Sequence, residues 1–537
     1  MRRRNSVEKL KSSKWWNPLR VRDDLEGLIA GGSENLSQAD KDLLKWVGVF
    51  FRKPTPGKFM MRVRMPNGFA TSEQLRTIAE LSRRIGNSVL DITTRQQIEL
   101  RGFTLDTVPA IWEKLRGVDL HSLQTGMDNV RNINGCALAG LTPGELFDAS
   151  PVVFELDRII VATNGNPEFV NLPRKFNVVV TGCTGNCTHA ESQDIALVPA
   201  IQRGQPGFNI LAGGKMGSGG FTIAAPLNVF VEPHEAAEVT AELVRIYRDH
   251  GPREARSQCR LAHLIAEWGM EELRYHLCER LMRPLDEAGE DMRQRGHHED
   301  HLAIHPQKQE GIRSVGLSVV TGRINPDQMT ELARLADQYG SGKVRLTTGQ
   351  NAILPDVAID RVPALLREPL LKELRPVPSP FFRGLVACTG TDYCGLAQIE
   401  TKGYAVKISK ALEERLGTAQ SPLTIHWSGC PAGCGNHQAA DIGFRGMRVN
   451  VGEKIVDAVA IYAGGRTGPD AVAGQEVLDV VPCDDRLPDI VAGIIRARDR
   501  AKQTQLSGDP QRGGLGSVLA APDSAPVTGG KTAGVTS

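Results

Sequence analysis

Four cysteines stand as two pairs late in the chain, in Ala387-Cys-Thr-Gly-Thr-Asp-Tyr-Cys394 and in Ser428-Gly-Cys-Pro-Ala-Gly-Cys434-Gly-Asn436. Thiolates are soft ligands, and glycine-rich loops let backbone come close to whatever they bind. Cys388, Cys394, Cys430 and Cys434 therefore suit a cubane iron-sulfur cluster. Structural zinc is the competing reading, although zinc hairpins space their cysteines about two to four residues apart and the five-residue gap of the first pair fits poorly.

Three further thiols, Cys136, Cys183 and Cys187, occur earlier, and the chain repeats itself around them. Gly182-Cys183 through Cys187 and Asp194-Ile195 match Gly429-Cys430 through Cys434 and Asp441-Ile442, each pair 247 residues apart. A second set, Gly68 with Gly322, Leu75 with Met329, Ile78 with Leu332 and Thr94 with Thr348, is 254 apart. Constant offsets argue for duplication. Cys136 pairs with Cys394 but nothing in 130–135 matches Cys388, so the first copy's thiols make a poor cubane site and read as buried or vestigial. Where one copy has Gly349 the other has Arg95, and a cation gained in only one copy suits an anion.

The elements that must carry these residues follow from hydrophobic periodicity. Met61, Val63 and Met65 alternate as a strand before Pro66-Asn-Gly68. Leu75, Ile78, Leu81 and Ile85 then recur at helical spacing, and 89–92 closes the unit as a strand. Residues 233–250 read as an amphipathic helix. Residues 283–310, charged and poor in apolar side chains, read as a solvated linker despite His297, His298, His301 and His305. The glycine-rich run after Gly213 leads into a strand pattern, so it offers no helix N-terminus to a pyrophosphate.

The runs 385–403 and 425–443 resemble the cluster-binding segments of the siroheme-containing nitrite and sulfite reductases, and the likeness extends from about residue 45 to about residue 465. The resemblance implies that Cys388, Cys394, Cys430 and Cys434 hold a [4Fe-4S] cluster, with Cys434 also the axial ligand of siroheme. It implies an anion cage of Arg95, Arg174 in Asn171-Leu-Pro-Arg-Lys175, and Lys215, which departs from many relatives by following its paired glycines directly. Arg101 and Arg131 are implied as contacts to the siroheme carboxylates. The fold implied is α+β and internally duplicated, with two ferredoxin-like half-domains and two siroheme/iron-sulfur domains about a pseudo-two-fold axis. The expected divisions are an arm (1–54), a half-domain (55–122), an anion-binding domain (123–282), the linker (283–310), a second half-domain (311–376), the cluster domain (377–500) and a disordered tail (501–537).

The activity implied is assimilatory reduction of nitrite to ammonium. No stretch reads as a flavin or nicotinamide domain, so a separate ferredoxin is the expected electron donor. Sulfite reduction shares every cofactor ligand and is the first alternative. A cobalamin-pathway oxygenase of the same family and a non-catalytic zinc module are the others.

Composition bounds the partners. Of 537 residues, 64 are Lys or Arg and 62 Asp or Glu, so net charge favours neither nucleic acid nor an anionic membrane. Ten cysteines in a chain of this length do not read as a disulfide framework. Acids follow closely on Met1-Arg-Arg-Arg4, and no apolar run reaches membrane-spanning length. A cytoplasmic monomer is expected.

Overall fold

The computed structural model describes residues 5–11, 17–217, 220–419 and 421–507. The Trp15-Trp16 pair and the tail beyond 507 lie outside the described residues. The last helix, Leu487–Ser507, runs past the expected start of the tail.

Four five-stranded sheets form two related pairs. The first half-domain sheet runs in the order 49–51, 59–63, 98–103, 90–92 and then 323–324. Its last strand comes from the other copy. The second half-domain sheet, 303–306, 312–317, 352–358 and 343–346, is completed by 69–71 from the first copy. The two half-domains thus exchange edge strands.

A turn at the same place in each copy directs the exchange. Asn67 and Gly68 have φ of 56° and 70°, and Thr321 and Gly322 have 54° and 72°. Left-handed backbone of this kind favours glycine. A Cβ on Gly68 would also lie 2.4 Å from the carbonyl oxygen of Leu346, and one on Gly322 2.3 Å from that of Ile92. Gln96 and Gln350 fasten the crossing, their Nε2 groups donating to Leu346 O at 2.9 Å and Ile92 O at 3.0 Å. The helices that follow, Ser72–Arg84 and Pro326–Tyr339, both start from capping boxes, Thr71 with Gln74 and Asn325 with Gln328, and pack on each other.

The larger domains repeat as well. Strands 178–180, 195–202, 205–212 and 225–231 correspond to 424–428, 442–451, 454–463 and 475–482, and the second set adds Gly384–Ala387 parallel to Thr424–Ser428. The predicted helix appears as Ala236–His250.

The segment read as a solvated linker is built into the body instead. Glu290–Asp291 pairs with the 195–202 strand and Ala303–Pro306 with Ile312–Leu317. His301 and Leu302 are buried. Few apolar residues are needed here because main-chain pairing and ion pairs such as Arg383–Asp300 (2.6 Å) fix the segment.

Candidate active site

The parallel strands Gly384–Ala387 and Thr424–Ser428 lie side by side, and each runs straight into a thiol-bearing loop. Cys388 is held by its amide on Trp427 O (3.0 Å), and its carbonyl accepts from Thr401 Oγ1 (2.6 Å). The amide of Gly429 donates to the Cys388 sulfur at 3.2 Å, a contact of the kind that tunes cluster thiolates. A Cβ on Gly390, at φ 67°, would meet the Thr401 amide at 2.7 Å, so this loop closes only with glycine. Burial pushes the Cys388 thiol up to about 11 and the Cys430 thiol up to about 12, and a bound cation is what would keep such thiols ionised. Among the described residues no three of these four sulfurs lie within 4.8 Å of one another. Tetrahedral zinc, with Zn–S near 2.3 Å, needs sulfurs roughly 3.8 Å apart. Four thiols on two glycine-rich loops, spaced C-x5-C and C-x3-C, fit a multi-iron cluster.

Cys434 is the exposed thiol of the four. It faces a cleft completed by the first copy, where Thr94, Arg95, Asn134, Lys175 and Asn177 line the wall. Thr94 Oγ1 donates to Cys434 O at 3.4 Å across the copies. Arg95 is fixed by Nε on Asn177 Oδ1 (3.2 Å) and by its carbonyl, which accepts from Asn132 Nδ2 (2.9 Å). Burial lowers the Arg95 pKa, with Cys434 opposing. Lys175 is pushed well below the ordinary lysine value by burial and by Arg95 and Arg260. The Arg131 guanidinium donates to the carbonyls of Thr125 and Met127, and burial with Arg62 and Arg95 lowers its pKa too. Half-buried cations crowded together, with no carboxylate paired directly to them among the described residues, are eased when an anion meets them. This excess of positive charge fits a polycarboxylate cofactor and a small oxyanion.

The other expected residues have partners of their own. Arg174 is outside the lining, with Nη1 3.9 Å from Asp128, a carboxylate shared with Lys11 (2.7 Å) and Arg256 (2.8 Å). Lys215 is buried with its Nζ 3.3 Å from His263 Nε2, and its neighbour Met216 reaches the cleft. Arg101 is engaged by Asp91 (2.7 Å) and Glu99 and donates to Thr389 Oγ1 at 2.9 Å, so it braces the loop after Cys388. Lys175 was not among the expected site residues. Its signal is the one that marks Arg95, because at the 247 offset the other copy has Pro422. The corresponding cleft of that copy, a cavity of about 180 Å³, keeps Cys187 and Thr348 but has Gly349 and Pro422 in place of the two cations. The first copy's thiols do not join the cluster loops and gather instead around His301.

The sequence matches the family described as nitrite and sulphite reductase 4Fe-4S domain over residues 126–285 and 379–505. It matches the nitrite/sulfite reductase ferredoxin-like half domain over 51–118 and 305–372. The ferredoxin–nitrite reductase of Synechococcus elongatus is 43% identical over 498 residues, covering 92% of this chain and 96% of that protein. The chloroplastic ferredoxin–nitrite reductase of Zea mays is 44% identical over 473 residues, covering 86% and 83%. Among solved structures, the Mycobacterium tuberculosis NirA protein superposes with a TM-score of 0.86 at 28% identity, covering 94% of this chain and 97% of that one.

Proposed function

Since the chain belongs to the nitrite and sulphite reductase family, we propose that it reduces nitrite to ammonium with electrons from reduced ferredoxin, as an assimilatory enzyme. When bound, a [4Fe-4S] cluster and siroheme would supply the electron transfer. Cys388, Cys394, Cys430 and Cys434 would hold the cluster, and Cys434, facing the cleft, would also serve siroheme. Arg131 meets siroheme carboxylates, while Arg101 acts one step away by fixing the Cys388 loop.

The chain's own contribution is electrostatic. Arg95, pinned by Asn177 and Asn132, presents a fixed guanidinium that attracts nitrite and orients its oxygens. Lys175, whose charged form is disfavoured in place, is suited to passing its Nζ proton to a reacting oxygen. Arg174 adds positive field from behind, tempered by Asp128. Lys215 stands one step removed, where it can re-supply protons. Both walls of the cleft come from one chain, and a monomer is part of the proposal. No described helix is long and apolar enough to cross a membrane, and a cytoplasmic location is part of the proposal.

One observation carries the reading: Cys434 of one copy shares a cleft with Arg95 and Lys175 of the other. Steady-state turnover of nitrite and sulfite side by side, with reduced ferredoxin or a viologen dye, tests it. Nitrite is expected to have the higher kcat/KM. Preferential conversion of sulfite to sulfide would assign the chain to the sulfite branch.

A further inference from the structure

The ligand atoms of Cys136, Cys183, Cys187 and His301 all lie within 4.8 Å of one another, and all four residues are buried. Cys136 Sγ is 3.2 Å from His301 Nε2. A tetrahedral ion with Zn–S near 2.3 Å and Zn–N near 2.0 Å sets its ligand atoms roughly 3.5 to 3.8 Å apart, so the group matches one ion and is too tight for a cubane. Cys183 and Cys187 stand where the other copy has Cys430 and Cys434. The missing counterpart of Cys388 is replaced from outside the repeat, by an imidazole on the connecting segment.

The surroundings suit a metal. His301 turns Nε2 toward the thiols and Nδ1 toward Glu299, whose Oε1 lies 4.0 Å away and accepts the His301 amide at 2.9 Å. The amide of Gly185 donates to Cys183 Sγ at 3.4 Å. Three thiolates on a divalent ion leave one negative charge. Arg345, buried with Nε and Nη1 unpaired, lies in the field of Asp356, Asp148 and Cys136 and offers a nearby cation.

We propose that Cys136, Cys183, Cys187 and His301 bind one structural zinc ion, distinct from the cluster. Binding releases the thiol protons to solvent and involves no redox change. Four protein ligands in a buried setting leave no open position for substrate, so the site is structural. It ties the 296–302 segment to the first copy, beside Asp300, which pairs with Arg383, and Cys187, whose carbonyl accepts from Thr348 Oγ1 at 2.8 Å. The degenerate cluster site thereby becomes a clamp between the copies. The proposal is independent of which anion the enzyme reduces.

Elemental analysis of the full-length holoenzyme, purified without added zinc or chelator, is expected to give about one zinc per chain beside the cluster and siroheme iron. X-ray absorption at the zinc edge should show three sulfur neighbours and one nitrogen, a readout that needs no variant. His301→Ala should lose the zinc and keep the iron, and His301→Cys should retain zinc with four sulfurs. The proposal fails if wild-type protein carries less than about a fifth of a zinc per chain, or if its zinc sees only nitrogen and oxygen. It fails equally if the thiols prove to be disulfide-bonded by mass spectrometry, or if iron rises by the content of a second cluster.

Discussion

At the scale of single residues, the cleft separates cations that line it from cations that stand behind it. A charge-assisted contact is worth roughly 1.5 to 3 kcal/mol, so Arg95→Gln should lower kcat/KM for nitrite about tenfold to a hundredfold. Lys175→Met should fall in the same range with kcat the more affected, because a proton donor is lost as well as a charge. Arg174→Gln should cost less than either, its head group lying 3.9 Å from Asp128 and outside the lining. Siroheme absorbance measured on each variant controls for cofactor loss, and a larger penalty at Arg174 than at Lys175 would refute the order. The thiols call for a separate test. Cys430→Ser, which puts a hard oxygen where a soft sulfur is needed, should abolish the cluster, while Cys187→Ser should leave iron content near normal. The duplication made Arg95 legible through Gly349, and Pro422 marks Lys175 in the same way. Arg174 and Lys215 were suggested by family likeness. His301 could not be read as a ligand, because its partners are brought to it only by the fold.

At the scale of elements, Asp91 links the half-domain sheet to the cluster loop. Its carboxylate meets Arg101 of the 98–103 strand (2.7 Å), Arg323 of the exchanged strand (3.1 Å) and Lys402 of the helix Lys402–Leu416 (3.3 Å). Arg101 and Arg323 both stack on Tyr393, and Arg323 also pairs with Asp392 (3.0 Å), so the brace reaches the residue before Cys394. Burial alone would raise the Asp91 pKa, but Lys402, Arg101 and Arg323 outweigh it and hold it well below the usual carboxylate range. Glu99 is held at about 2, with Arg101 and Arg62 outweighing its burial. A carboxylate depressed in the folded state stabilises fully above its unfolded pKa, near 4, and the contribution is lost as pH falls toward the folded value. Cluster absorbance should therefore be lost between about pH 4 and pH 2 in step with far-UV circular dichroism. Asp91→Asn, which leaves buried cations uncompensated, should cost about 3 to 5 kcal/mol at neutral pH in urea unfolding, and less as the pH is lowered below about 4. An equal cost at both pH values would show that the charge of Asp91 is not what matters. The helices of both half-domains were readable from their periodicity. The exchange of strands was not, since Phe69–Thr71 and Arg323–Ile324 are too short to carry a pattern and pairing at a sheet edge is a long-range choice.

At the scale of the whole molecule, duplication has produced one cleft lined by Arg95 and Lys175 and one with Gly349 and Pro422 at those positions, and neither copy is complete without the other. Each half-domain sheet takes its last strand from its partner, and one apolar core runs through both half-domains. The cluster domain has a core of its own, around Phe444 and Trp427, yet it is tied back through Gln350 Oε1, which accepts the Ala387 amide at 3.0 Å, and through Lys402 on Thr321 O. Unfolding either half-domain alone would bare two sheet edges and split that shared core, so the free energy of a half-unfolded state lies close to that of the unfolded chain. The holoenzyme should then lose its structure in one transition. Fully buried tryptophans report on both copies, Trp46 on the first and Trp427 on the second. In a urea titration, tryptophan fluorescence, far-UV circular dichroism and visible cofactor absorbance should give coincident midpoints. Two resolved fluorescence steps, one with cofactor absorbance intact, would mean that the copies are separate folding units and that the exchanged strands contribute little to holding them together.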